Sequence, residues 1–141
     1  MTITLRKARK ILSATLAKGR EMNLKPLSVV VLDAGGHPIA FEREDGSSAG
    51  RFKIAYGKAN GCIMLGLPGS AIQTRADNQA YFVGALNGLF GGDFVPVQGG
   101  VLVKDSKGNI LGAVGVTGDT SENDAMAASA GIEAAGLVPL A

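Results

Sequence analysis

Few residues of this chain could do chemistry, and the rarest stands in an unusual place. His37 is the only histidine, and it follows Gly35-Gly36 and precedes Pro38, between two apolar runs that read as strands. A neutral imidazole can ligate a metal or move a proton near neutral pH, and a turn between paired strands would present it with little freedom. The plainer alternative is a polar turn residue bonded to backbone. Arg43, Arg51 and Lys58 form a second group, because an arginine fork pairs with a carboxylate through two hydrogen bonds. A charged surface paired with Glu42, Glu44 or Asp45 explains them equally. A third group is Gly115-Val-Thr-Gly-Asp-Thr-Ser121, where Thr117, Thr120 and Ser121 offer hydroxyls beside a helix start that attracts anions. Capping of that helix is the competing explanation.

The same inventory excludes other chemistry. With one histidine and one cysteine, a protomer cannot assemble a His-rich or Cys-rich zinc site, and neither Cys-x-x-Cys nor His-Glu-x-x-His occurs. Cys62 lies among Ile63, Met64 and Leu65 and reads as a small buried hydrophobe. No spacing identifies two carboxylates at catalytic separation.

Positioning these groups requires a folded frame, and the periodicities supply one. Residues 4–22 place Leu5, Ala8, Ile11, Leu12 and Leu16 on one helical stripe, with Thr2 or Thr4 as a cap. Ser28–Asp33 and Pro38–Arg43 read as a hairpin turned at residues 34–37, the first strand apolar without alternation and so covered on both faces. Residues 48–65 suit a second helix whose Gly57 and Gly61 leave a face open to close approach. Between 67 and 93 the pattern loosens to one helical stretch over 76–89. Val101–Lys104 and Ile110–Val116 form a second hairpin about Gly108, and a last helix starts near Ser121, where Ser121-Glu-Asn-Asp124 resembles a capping box. Hairpin connections imply antiparallel pairing and an α+β fold.

The 141 residues fit one domain spanning 1–141, long enough to bury about 70% of the unfolded surface without a metal or disulfide. A net charge of +2 is too small to argue for nucleic acid. The N-terminal basic residues interrupt any signal-peptide core, no apolar run would span a membrane, and a single cysteine agrees with a reducing compartment, so a cytoplasmic protein is expected.

Three segments together resemble the haem-degrading, HbpS-like family, also called GlcG-like, with relatives in the C-terminal domain of PduO. They are Val29-Val-Val-Leu-Asp-Ala-Gly-Gly-His37 running on to Arg43 and Asp45; Ile54-Ala-Tyr-Gly-Lys-Ala59; and Gly99-Gly-Val101 with Ile110-Leu-Gly-Ala-Val-Gly-Val-Thr-Gly118 and Asp124-Ala125. The resemblance implies a profilin-like fold, a five-stranded antiparallel sheet with packed helices. It also implies a homo-oligomer, commonly an octamer, and a small-molecule ligand, either haem or a small carboxylate of organic-acid catabolism. It carries the role of haem-iron ligand onto His37 and favours Lys58 among the cations, with Arg43, Arg51, Thr117 and Thr120 as further ligand contacts. Arg43-Glu44-Asp45 stands where the family usually has Arg-Met-Asp. The export signal and acidic extension of the family's secreted branch have no counterpart here, which argues against extracellular iron scavenging.

Overall fold

The computed structural model describes residues 2–141. The chain runs α1 (Leu5–Glu21), β1 (Ser28–Asp33), β2 (Pro38–Arg43), α2 (Arg51–Leu65), α3 (Gly69–Asn78), α4 (Ala80–Leu89), β3 (Gly100–Lys104), β4 (Ile110–Thr117), α5 (Ser121–Ala134) and β5 (Val138–Leu140). The five strands form one sheet in the order β2-β1-β4-β3-β5, and every neighbouring pair is antiparallel. This is the α+β arrangement that the hairpins and the family resemblance predict.

Strand alternation sends side chains to two cores. Val29, Val31, Val114 and Val116 face α1 and α5, where Ile11, Leu12, Ala128 and Ile132 cover them. Val30, Leu32, Leu102 and Ala113 face α2, α3 and α4, meeting Ala55, Ala59, Cys62, Ile72 and Leu86. β1 lies between the two and is buried from Ser28 to Leu32, which is why it lacks alternation.

The helix on the second face lies unusually close to the sheet. A Cβ at Gly115 would strike the carbonyl oxygen of Ala55, and one at Gly100 would strike that of Lys58. Glycines in β3 and β4 thus let the α2 backbone settle directly on the strands, which fixes the height at which Lys58 enters the protein.

Several expectations shift in detail. α1 is capped by Thr4, whose Oγ1 accepts from the Lys7 N–H at 3.1 Å. The region 67–93 holds two helices rather than one over 76–89. Gln79 leaves helical geometry at φ −141° and ψ 61° and separates α3 from α4. Pro68 precedes α3 in extended geometry, at φ −70° and ψ 157°. The cap of α5 is Thr120, whose Oγ1 accepts from Asn123 N–H at 3.2 Å, rather than Ser121. Asp124, the acidic member of the expected capping box, turns inward instead. β5 is too short to leave a periodic signal; it pairs with β3 and places Pro139 on the sheet edge, where a missing donor costs little.

Candidate functional site

The turn between β1 and β2 is built by one side chain. The Asp33 carboxylate accepts from the backbone N–H groups of Gly35 and His37, both at 2.9 Å. Gly36 supplies the positive φ of 84° that closes the loop. Asp33 also receives the imidazole: Nδ1 of His37 lies 3.1 and 3.2 Å from its two oxygens. An ionised carboxylate only accepts, so Nδ1 carries a hydrogen, and in the neutral ring Nε2 keeps its lone pair. The His37 side chain is 79% exposed and that of Asp33 40%. The His37 backbone N–H, with lesser help from Gly35 and the imidazole and against partial burial, holds Asp33 below the usual carboxylate range.

Beside this turn lies a cleft of about 550 Å³ bounded by Pro38, Phe52, Lys53, Tyr56 and Gly91–Asp93. Tyr56 donates from Oη to the carbonyl of Gly36 at 3.1 Å, fastening the hairpin to α2. Phe41 meets Phe52 edge-on at 4.8 Å, and Phe52 stacks with Tyr56 at 6.0 Å. Asn60 holds the far wall by donating to Asp93 O at 2.9 Å. The arrangement is an oriented imidazole with a free nitrogen, next to an aromatic wall and one lysine.

The other expected site residues sit elsewhere. His37 and Arg43 flank β2, about 20 Å apart along an extended strand. The register aligns Arg43, Ser28 and Thr117 at that far end of the sheet. Arg43 borders a separate cleft with Arg20, Glu42, Glu44 and Asp45, a surface richer in acid than base. Arg51 does reach Thr117, donating from Nη1 to Oγ1 at 2.9 Å, and donates from Nε to Ser48 Oγ at 3.0 Å. Thr120 is occupied as the α5 cap.

Lys58 is an interior residue. It is 4% exposed and Asp124 1%; its Nζ donates to Asp124 Oδ2 at 3.1 Å and to Val116 O at 3.0 Å. Asp124 also accepts from the Asp119 N–H at 3.0 Å. Burial pushes the lysine down, with nearby Arg51 adding to the effect, and pushes the aspartate up; their mutual attraction opposes both shifts. The pair clamps α2 to the β4–α5 junction and is turned away from the His37 cleft.

Asp33 as the partner of His37, and Lys53 at the cleft rim, went unremarked in the sequence reading. An aspartate four residues before a turn histidine is a usable signal, since such a side chain closes a local turn. Lys53 gives none, because any helix surface carries such lysines. Burial also raises the Cys62 thiol to about 12, which leaves it inert.

A family model described as haem degrading protein HbpS-like matches residues 3–133. The chain belongs to this HbpS-like family. An uncharacterised 15.0 kDa protein from the dhaT-dhaS intergenic region of Citrobacter freundii is 30% identical over 132 residues, 94% of this chain and 91% of that protein. Among solved structures, the Klebsiella pneumoniae protein ORFY superposes with a TM-score of 0.86 at 25% identity, covering 96% of this chain and 92% of the other. A complex of PduOC with haem superposes with a TM-score of 0.84 at 19% identity, covering 95% of each chain. The shared HbpS-like fold includes the sheet and helices that hold the His37 turn.

Proposed function

We propose that this HbpS-like chain binds haem in the cleft beside the β1–β2 turn, with His37 as the iron ligand. One observation carries the reading: the only histidine, its ring fixed through Nδ1 by Asp33, immediately precedes Pro38 on the wall of an aromatic-lined cleft. Carboxylate support of a ligating imidazole sets its tautomer and orientation and raises its basicity. Phe52, Tyr56 and Pro38 provide apolar surface for a porphyrin face, and Lys53 provides a cation at the rim for a propionate. Bound there, haem would supply iron for redox or ligand chemistry, and the protein's part is to hold and orient it.

The haem complex of PduOC, a protein of the same fold, supports this reading. Self-association belongs to it as well. α4 turns Tyr81 and Leu89 outward, each 77% exposed, over a face that carries no charge between Ala80 and Gly92; an apolar helix face of this kind favours contact with another copy. No helix of the described residues is long and apolar enough to cross a membrane, and an unpaired cysteine fits a reducing, cytoplasmic setting. Titration with hemin tests the proposal: a shifted Soret band, lost in His37→Ala, is expected. A spectrum identical to free hemin would remove it.

A further inference from the structure

The end of the sheet opposite His37 holds buried hydroxyls without hydrogen-bond partners. Ser28 opens β1 and, by alternation with Val30 and Leu32, faces α2. Its cross-strand neighbour is Thr117, the residue that receives Arg51. Ser28 is fully buried, and its Oγ has no hydrogen-bond partner. The Ser47 Oγ is likewise buried and unpartnered. It lies in the loop leading into α2, which is tied to β1 through Ser47 N–H to Glu44 O and Glu44 N–H to Leu27 O. Three buried side-chain polar atoms lack partners among the described residues; Ser28 is the cross-strand neighbour of Thr117 and Ser47 the chain neighbour of Ser48, the two hydroxyls that accept from Arg51, while the third, on Thr15, lies between α1 and α5.

The same place holds positive character. Arg51 uses Nη1 and Nε on hydroxyls, leaving the Nη2 edge free, and no carboxylate lies within 4.0 Å of it among the described residues. α2 starts here behind Gly50 without a side-chain cap; the Arg51 N–H bonds the Ser48 carbonyl at 3.3 Å, and the N–H groups of Phe52 and Lys53 remain at the helix start. Of the nearby carboxylates, Glu44 is engaged with the Leu27 N–H at 2.8 Å and Arg20 at 3.5 Å and Asp124 with Lys58, while Asp45 lies exposed in the loop before Ser47.

We propose that this corner, formed by Ser28, Ser47, Arg51, Thr117 and the start of α2, is a binding site for a small carboxylate. The Nη2 N–H groups would donate to the carboxylate. Drawing Arg51 outward would open Ser28 and Thr117 as hydroxyl donors beneath. Arg51 is the one cation bonded to this corner's hydroxyls, which matches a monoanion; a phosphate dianion would call for further cations. The site is separated from His37 by the length of β2 and is independent of the haem reading.

The test uses the full chain without haem, at constant ionic strength, with acetate and glycolate as probes and chloride and phosphate as controls. Amide NMR shifts and the thermal midpoint are followed. Acetate or glycolate should produce saturable shifts clustered at Ser28, Ser47, Phe52 and Lys53 and raise the midpoint. These shifts should persist when saturating hemin is added. Arg51→Gln should weaken binding at least tenfold. Ser28→Ala guards against misfolding of that variant: replacing an unpartnered hydroxyl should raise the midpoint of the free protein and still weaken carboxylate binding several-fold. The proposal is overturned by an absence of localised shifts, by equal shifts with chloride, or by phosphate binding more tightly than either carboxylate.

Discussion

Asp33 is the residue on which the His37 turn depends. Asp33→Asn keeps an acceptor for the two backbone N–H groups but weakens support of the imidazole, so hemin affinity should fall by about 10- to 100-fold with the fold intact; comparing hemin titrations of the two proteins checks this. The native proton balance carries a sign as well. A carboxyl held below its ordinary 3.8 stabilises the fold above that pH, and the contribution is lost as pH falls through the lowered folded value. The fall in urea midpoint below pH 4 should therefore be shallower in Asp33→Asn. Asp124 and Lys58 have the opposite senses. Asp124, raised by burial, favours the fold most below 3.8, and this is lost as pH rises through its folded value. Lys58, lowered by burial, favours it most above 10.5, and this is lost as pH falls through its folded value. Where both are charged the pair carries its desolvation cost, and mutual attraction holds it together. Lys58→Met alone leaves Asp124 buried without its cation and should cost about 3–5 kcal/mol, whereas Lys58→Met with Asp124→Leu should restore at least about half of that, measured by urea unfolding. His37 was legible because it is unique and stands in a glycine turn. The burial of Lys58 was not, because its partner lies 66 residues away and nothing local distinguishes an inward lysine from an outward one.

Close contact between α2 and the sheet makes the elements interdependent. Gly115→Ala would drive a methyl against the Ala55 carbonyl, and backbone cannot yield as a flexible side chain can. The substitution should cost more than about 1–3 kcal/mol, the usual range for an overfilled core, and should disturb the Arg51–Thr117 contact one strand step away. Thermal unfolding with amide NMR would show both. Helix and strand identities followed from periodicity wherever an element has one buried face, as in α1, or two, as in β1. Gly57 and Gly61 also marked a face of close approach, which Val95 and Phe94 occupy. The α3–α4 break was hidden because Gln79 is neither proline nor glycine, and β5 because three residues are too few for a pattern. Ser121 lost the cap to Thr120 by one position, since both carry a hydroxyl able to serve.

For the whole molecule, the sheet separates two regions of different chemistry: an oriented imidazole beside aromatic surface at one end, and a corner of buried hydroxyls around Arg51 at the other. The sequence singled out His37 at one end and Arg51 and Thr117 at the other without dividing them, because the division comes from strand register and from the path of α2 over the sheet. The uncharged face of α4 leads to a further expectation at this scale. Light scattering should give a mass of several subunits, and Leu89→Lys on that face should reduce it while leaving circular dichroism unchanged. The central claim, that His37 presents a free nitrogen to haem iron, is tested most directly by hemin titration of the wild-type chain and His37→Ala, followed in the Soret region. A red-shifted, saturable band in the wild type that disappears in the variant is expected. Equal hemin binding by both proteins, or none by either, would contradict it.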